Sequence, residues 1–293
     1  MFTEIERDHV VRLQDREFLV DGTLTEGRFG IDDQPKFWVR SVTDLADGSP
    51  RILKCVFLEE FILRLGPIRI PCWRSPGKES DVLEYVRGDD RFMQGVTLED
   101  EEENLVRVLD RIAGPSLYRY LKGLTMSHLD FWHTVFPGLF VRLLDAFEGI
   151  EKLHAAGHCH GDIRTDHLLF DRETGALRWI DFDLMQSFSD YDLWSLGNIL
   201  AWCVGMGEHT FQSVRRDEQF SPEARASLVR EDGSVFFNHR VFNLRKLFPY
   251  VPPALNEILL RFSQGCGEGY ASMGELLADL REAHRSLEHL GGM

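Results

Sequence analysis

The chain has 293 residues, 43% of them hydrophobic, and a formal net charge of −15 from 48 acidic and 33 basic side chains. This length and composition suit one large or two small domains with a sizeable core, and they argue against a disordered chain. The acidic balance would repel a phosphate backbone, so we expect no nucleic-acid partner.

Targeting signals and cysteine frameworks are also absent from the sequence pattern. The N-terminal MFTEIERDHVV has no basic segment before an apolar run, and no stretch of about 18 apolar residues follows later. We therefore expect a cytoplasmic protein with no membrane partner. The five cysteines are widely spaced and lack a CxxC pair, which argues against disulfides and structural zinc.

The first hundred residues are rich in predicted strands. Residues 17–24, 36–43 and 51–58 mix β-branched and aromatic side chains between clusters of Gly, Asp and Pro. This pattern predicts a small antiparallel sheet. One helix, at about residues 78–87, is expected to interrupt the strands, and the acidic run at 99–103 is expected to form an exposed turn.

The remainder of the chain is mainly helical by its apolar periodicity. Leu139, Leu143, Phe147, Ile150 and Leu153 recur at three and four residues, which predicts an amphipathic helix ending at Gly157. Further helices are predicted at 192–204, 222–229, 253–262 and 273–288, the second with Ser221 as N-cap and Pro222 at N1. Between the two regimes, residues 109–116 contain Gly114 and Pro115 and are the best candidate for a hinge.

The strongest chemical signal lies in residues 153–183, where a helix ends at a glycine and a polar loop is followed by two short strands. This segment contains His160-Gly161-Asp162 and Asp181-Phe182-Asp183. It resembles the His-Arg-Asp loop and the Asp-Phe-Gly motif of the protein kinase superfamily. The resemblance implies that Asp162 orients or deprotonates an acceptor hydroxyl and that Asp181 holds magnesium against the phosphates of ATP.

Two upstream segments fit the same family. The sequence TEGRFG at 25–30 resembles the glycine-rich phosphate loop, with Gly27 and Gly30 in the family's positions and a threonine in place of the first glycine. The sequence RILK at 51–54 resembles the family's Val-Ala-Ile-Lys strand. By this resemblance Lys54 contacts the α and β phosphates.

The predicted helix at 78–87 would supply the glutamate that pairs with this lysine. Glu79 is followed by apolar residues at four and seven positions, and Glu84 is the alternative partner. The segment 108–117 resembles the family's hinge. The resemblance implies that backbone groups near Asp110 and Ile112 bind adenine and that Leu109 is the gatekeeper.

The catalytic loop departs from the family at three positions. Gly161 replaces the arginine that reads a phosphate on the activation loop, so switching by phosphorylation there is not expected. His167 stands where an asparagine binds the second magnesium, and imidazole is a poorer ligand for a hard cation. Arg164 replaces the loop lysine that contacts the transferring phosphoryl group.

The segment after the second motif is unusually short. Ten residues separate Asp181 from Asp192, which leaves no room for the family's activation segment. Gly269 also replaces the arginine that pairs with the end of that segment, so the platform for a peptide is expected to be missing. In contrast, DLWSLG at 192–197 is close to a buried helix start in protein kinases, where the aspartate holds the catalytic-loop backbone.

The resemblance extends from about residue 15 to 285. It implies an α+β, bilobal protein-kinase-like fold. The expected parts are a sheet lobe with one helix at 1–109, a hinge at 110–116 and a helical lobe at 117–293. The implied activity is transfer of the γ-phosphate of ATP, with Mg²⁺, to a serine or threonine hydroxyl of a protein. A pseudokinase that regulates a partner and a small-molecule kinase like the aminoglycoside phosphotransferases are the alternatives.

Overall fold

The computed structural model describes residues 5–28, 31–65, 68–188 and 190–291. A strand-rich part runs to residue 110, a helix-rich part begins at residue 117, and irregular backbone at 111–116 joins them. This arrangement confirms the predicted α+β, bilobal fold class. In the described residues no helix is both long enough and apolar enough to cross a membrane.

The described strands form three antiparallel sheets. Their bounds are β1 Val10–Leu13, β2 Arg16–Arg28, β3 Ile31–Asp44, β4 Pro50–Cys55, β5 Glu60–Leu65, β6 Ile68–Arg74, β7 Gly95–Glu99, β8 Leu105–Asp110, β9 Leu168–Phe170, β10 Leu177–Trp179 and β11 Leu184–Gln186. The largest sheet has the order β1-β2-β3-β4-β8-β7, and β9 pairs with β10 in a small ribbon. The predicted acidic turn lies between β7 and β8.

Strand β4 is central in the large sheet, and this position determines what surrounds its last residues. It pairs with β3 on one side and with β8 on the other. Leu53 and Cys55 are buried in the core of this sheet together with Phe18 and Val106. The strand ends at Cys55 rather than at the predicted residue 58, because pairing with β8 stops there.

A three-stranded sheet, in the order β11-β6-β5, was not predicted. β5 and β6 form a hairpin directly after β4, and residues 72–74 of β6 pair with β11. Pro71, which has no backbone N–H to donate, lies outside that pairing and opposite Ile62 of β5. The hairpin therefore contacts the short segment that follows Asp183.

The helices of the described chain are α1 Lys78–Tyr85, α2 Leu117–Lys122, α3 His128–Thr134, α4 Phe136–Ala155, α5 Tyr191–Val204, α6 Phe211–Arg216, α7 Pro222–Ser227, α8 Pro253–Leu260 and α9 Met273–Gly291. The predicted apolar stripe of α4 is buried in the main core. Gly157, just past its end, has a φ of +79°. Ser221 caps α7 as predicted, accepting a hydrogen bond from the Ala224 amide.

Candidate functional site

A cavity of about 430 Å³ lies between the sheet-rich and helix-rich parts. Val39, Ile52 and Leu109 line it from the large sheet, and Lys54, Glu79 and Asp181 line its charged region. Ligand sites in proteins typically enclose about 300–1,000 Å³ with mostly apolar walls and a few convergent polar groups. The cavity therefore has the size and chemistry of a site for a small molecule.

Lys54 and Glu79 form a buried ion pair at this charged region. Nζ of Lys54 donates to Oε1 of Glu79 over 2.7 Å, and both side chains are almost fully removed from solvent. The alternative partner Glu84 is exposed and pairs with Arg87 instead. The structure thus brings Lys54 together with Glu79 and not with Glu84.

Arg107 is a second buried cation on Glu79 that the sequence reasoning missed. It lies opposite Lys54 in the pairing of β4 with β8. Its Nε donates to Oε2 of Glu79 over 3.1 Å, and its Nη2 donates to the carbonyl of Cys55 over 3.2 Å. No signal in the sequence indicates this contact, because a charged residue that alternates with apolar ones along a strand ordinarily faces solvent.

Asp181 meets four basic side chains, of which Arg74 is the most distant, with Nη1 3.9 Å from Oδ1. Its Oδ1 lies 2.5 Å from Nζ of Lys54, and its Oδ2 lies 3.4 Å from Nζ of Lys36 and 3.6 Å from Nε2 of His167. Burial opposes ionisation, but these neighbours hold the pKa of Asp181 well below its ordinary value. The backbone of Asp181 has a φ of +69°, in the left-handed region. Lys36, on β3, was not predicted to belong to the site.

Asp183 stands where the kinase motif has a glycine, and it adds another carboxylate to the cluster. Its Oδ1 accepts from Nη1 of Arg74 over 2.5 Å, and its Oδ2 lies 3.2 Å from Nζ of Lys54. Burial and the nearby charge of Asp181 raise the pKa of Asp183. Arg74 comes from β6 and also donates to Glu59. The unpredicted hairpin therefore reaches the charged region of the cavity.

The charges around Lys54 act together on its ammonium. Burial alone would lower the pKa of Lys54, but Asp181, Asp183 and Glu79 outweigh it and raise that pKa above its ordinary value. Lys54 is consequently a permanent cation at physiological pH.

The loop that carries Asp162 is held by Asp192 of α5. The carboxylate of Asp192 accepts from the backbone amides of His160 and Gly161, over 2.7 and 2.8 Å, and lies 2.9 Å from Nε2 of His154. This geometry fits the role that the resemblance implied for Asp192. Lys78 adds a second constraint, because its Nζ donates to the carbonyls of His160 and Leu184.

His167 lies between the two aspartates that the sequence singled out. Its Nδ1 lies 2.9 Å from the carbonyl oxygen of Asp162 and 3.5 Å from the Asp162 carboxylate. Because a carbonyl oxygen can only accept, Nδ1 carries the hydrogen, and Nε2 is the atom directed towards Asp181. In the neutral ring, Nε2 can act as an acceptor or as a metal ligand.

Arg164 is engaged within the loop itself. Its guanidinium forms a two-point ion pair with Asp166, with Nε 2.9 Å from Oδ1, and its Nη1 lies 3.9 Å from the Asp162 carboxylate. The structure brings Arg164 beside Asp162. A contact with a transferring phosphoryl group stays a prediction.

The predicted hinge residues border the cavity. Asp110 ends β8, its carboxylate pairs with Arg51, and its backbone amide donates to the carbonyl of Gln94 over 2.9 Å. The amide of Asp110 is therefore engaged, and adenine contacts by its carbonyl or by the backbone of Ile112, which also lines the cavity, stay predictions. A side chain at Gly114 would meet the Phe170 carbonyl at 1.7 Å, so this segment packs closely on β9.

The predicted phosphate loop is described in part. Thr25 lines the cavity, and Gly27 lies near the end of β2. Gly30 lies outside the described residues. Contacts of Gly27 and Gly30 with a nucleotide stay predictions.

The donor set agrees with magnesium held mainly by a nucleotide. Asp181 supplies carboxylate oxygen, and His167 supplies a nitrogen beside it. Among the described residues, no group of three or more His, Cys, Asp or Glu side chains is arranged to hold a metal ion. Mg²⁺ in phosphoryl-transfer sites takes one or two carboxylates and completes its shell with phosphate and water. The residues present fit that mode.

Comparison with known proteins identifies the fold. No model of a known protein family matches the chain. The 2-5A-dependent ribonuclease of Mus musculus is 33% identical over 79 residues, which are 25% of this chain and 11% of that protein. The PknI kinase domain of Mycobacterium tuberculosis matches in structure with a TM-score of 0.51 at 11% identity, over 93% of this chain and 98% of that domain. The chain therefore has the bilobal fold of a protein kinase domain.

Proposed function

We propose that this protein is an ATP-dependent phosphotransferase acting on a hydroxyl group. The observation that carries the proposal is the contact of Lys54 with both Glu79 and Asp181 at the charged region of the 430 Å³ cavity. In phosphoryl transfer the protein mainly positions the reactants and stabilises charge, and both tasks need such a preorganised cluster.

The proposed step is a direct displacement at the γ phosphorus. The acceptor oxygen forms a new bond to the γ phosphorus. The bond between that phosphorus and the β–γ bridging oxygen breaks, and ADP leaves. Asp162 receives the hydroxyl proton, and Lys54, fixed by Glu79, contacts the phosphates. Asp181, with Nε2 of His167, would hold Mg²⁺, which neutralises phosphate charge when it is bound.

The acceptor expected from the kinase resemblance is a serine or threonine hydroxyl of a protein. The short connection between Asp181 and Asp192 bears on this expectation. Its residues 184–186 are paired with β6, and α5 begins at Tyr191. No long segment is available between these points to bind an extended peptide, so a hydroxyl on a small molecule is the competing acceptor.

The test combines nucleotide binding with phosphate transfer on one preparation. We expect magnesium-dependent binding of ATP in calorimetry. We also expect ADP to be released as labelled phosphate is transferred to the acceptor. Asp162→Asn should lower the transfer rate by about 10²–10⁴-fold, the usual contribution of a positioned proton acceptor, with little change in ATP affinity. Asp130→Asn, at an exposed position of α3, is the matched control. Unchanged transfer in Asp162→Asn would contradict the assignment.

A regulatory nucleotide-binding pseudokinase is the second candidate, and one observation favours it. Lys54 already contacts the carboxylates of Glu79, Asp181 and Asp183, which compete with phosphate for its ammonium. Asp183→Gly, which restores the family's residue, separates the two candidates. A gain in ATP affinity without any transfer supports the pseudokinase, whereas transfer in the unmodified protein excludes it.

A further inference from the structure

A second cavity, of about 320 Å³, lies beside the loop that carries Asp162. Residues 163–166 of the loop, one side of α5 and residues 236, 237 and 240 line it. Asp166 borders both this cavity and the 430 Å³ cavity. We call the smaller space the loop cavity. Residues of the loop with Asp162 therefore border two spaces, each large enough for a small molecule.

The walls of the loop cavity are unusually aromatic. Five aromatic side chains line it, namely Tyr191, Trp194, Trp202, Phe236 and Phe237. The rings of Trp194 and Phe236 meet edge to face, with centroids 4.8 Å apart. Flat aromatic faces bind planar apolar groups by stacking and by burial of apolar surface. The walls thus favour a ligand with a planar apolar face.

Two buried polar atoms in the same lining lack a hydrogen-bond partner among the described residues. They are Oδ1 of Asn198, an acceptor, and Nε1 of Trp202, a donor. Each unsatisfied buried group costs on the order of 1–3 kcal/mol. Both atoms have almost no accessible surface, so protein atoms separate them from the cavity and neither is offered to a ligand.

The charged groups at the loop cavity are already neutralised by the protein. Arg164 is paired with Asp166, and Arg240 lies 2.6 Å from the carboxylate of Glu208. A charged ligand would have to break one of these pairs or remain buried without a counter-ion. The electrostatics therefore favour an uncharged ligand.

We propose that the loop cavity binds the phosphate acceptor, and that this acceptor is a small, planar, uncharged molecule with an alcohol hydroxyl, such as a pyrimidine nucleoside or an aryl alcohol. The inference rests on the proposed phosphotransfer. Arg164 connects the loop cavity with Asp162, because its guanidinium lies 3.9 Å from the Asp162 carboxylate. The bonds made and broken are those of the displacement described above, with the hydroxyl proton passing to Asp162.

The test measures binding first and transfer second. Uridine, thymidine and 2-naphthylethanol are titrated by calorimetry with an unreactive ATP analogue present, beside an aminoglycoside and a serine peptide. We expect saturable binding of the planar alcohols. Phe237→Ala should weaken it about tenfold through loss of stacking. Trp202→Phe should weaken it by about two- to tenfold through loss of part of the aromatic wall.

Matched controls remove similar groups elsewhere. Phe37→Ala, on β3, and Trp73→Phe, on β6, should leave binding of the planar alcohols unchanged. Absence of binding by all three planar alcohols, or binding that is insensitive to Phe237→Ala and Trp202→Phe, would overturn the inference. Preferred binding of the aminoglycoside or the peptide would overturn it too.

Failure of the proposed function has a different signature. If the planar alcohols bind in the loop cavity but no phosphate is transferred to them or to the peptide, the phosphotransferase proposal fails while the ligand class of the cavity stands. If phosphate is transferred to the peptide with no binding in the loop cavity, the proposed function stands and the acceptor class is wrong.

Discussion

Nζ of Lys36 lies 3.4 Å from Oδ2 of Asp181, the carboxylate whose other oxygen contacts Lys54. Lys36 comes from β3, and Lys54 comes from the neighbouring β4, so two adjacent strands each direct a cation to one aspartate. Both lysines line the 430 Å³ cavity. Lys36 is thus placed to contact nucleotide phosphates in addition to Lys54.

The first prediction is that Lys36→Met weakens MgATP binding by about ten- to a hundredfold. A hydrogen bond to a charged group contributes about 1.5–3 kcal/mol, and Lys36 would supply one to a phosphate. Calorimetric titration with MgATP measures the change. Lys122→Met, at the end of α2, is the control and should bind as the unmodified protein does. Equal affinity in Lys36→Met and the control would remove Lys36 from the nucleotide site.

The second prediction concerns the buried pair of Arg107 and Glu79. Arg107→Met should lower the free energy of unfolding by about 3–5 kcal/mol, because it leaves one oxygen of a fully buried carboxylate without its cation. Urea denaturation followed by circular dichroism measures the loss.

The double variant Arg107→Met with Glu79→Gln is the informative control for that pair. It removes the uncompensated charge, so it should be more stable than Arg107→Met alone, with a coupling energy of about 0.5–3 kcal/mol. Additive effects of the two changes would show that the two side chains do not depend on each other.

The sequence predicted the parts of the site that lie within one short segment. The spacing of Asp162 and Asp181, and the strand that ends near Lys54, depend on local order along the chain, so the kinase resemblance could locate them. The stripe of α4 was predicted for the same reason, since helical periodicity is a local property.

The side chains that were missed reach the site through pairing of distant strands. Arg107 faces Glu79 because of the register of β8 on β4, and Arg74 meets Asp183 because β6 pairs with β11. A shift of one residue in either register would turn the side chain to the opposite face of the sheet. No pattern within a single segment specifies such a register, and β11 is too short to give a strand signal.

The third prediction compares two glycines with similar backbones. Gly157→Ala and Gly161→Ala both place a side chain at positive φ, of +79° and +86°, which costs about 1–2 kcal/mol. A Cβ at Gly157 meets open space, whereas one at Gly161 would lie 2.2 Å from the Leu184 carbonyl. That carbonyl is fixed by Lys78. Gly161→Ala should therefore cost about 1–3 kcal/mol more in unfolding free energy.

Thermal and urea unfolding of both variants measure this difference, with Gly157→Ala as the reference for backbone strain alone. The same contact explains why the family's arginine cannot occupy position 161 in this fold without displacement of β11. Equal stability of the two variants would mean that the loop and β11 separate readily.

The fourth prediction is a loss of stability on mild acidification. Burial lowers the pKa of His160 to about 3 and that of His128 to about 4. In the unfolded chain both rings titrate near their ordinary pKa of about 6.5, so below that pH the unfolded state binds more protons than the folded state. The free energy of unfolding should therefore be unaffected by these rings above pH 6.5 and should fall as the pH decreases towards 4, by up to about 1.4 kcal/mol per pH unit for each ring.

Urea denaturation at several pH values between 4 and 7.5 measures this slope. His160→Asn removes one titrating ring while its side-chain oxygen can still accept from the Asp162 amide, as Nδ1 of His160 does. The slope should then decrease by the share of one ring, even if the variant is less stable at every pH, because His128 and His209, whose pKa values burial also lowers, continue to titrate. His133→Gln, at an exposed position of α3, should retain the full slope. A slope that His160→Asn leaves unchanged would mean that His160 takes up its proton over the same pH range in the folded and unfolded states.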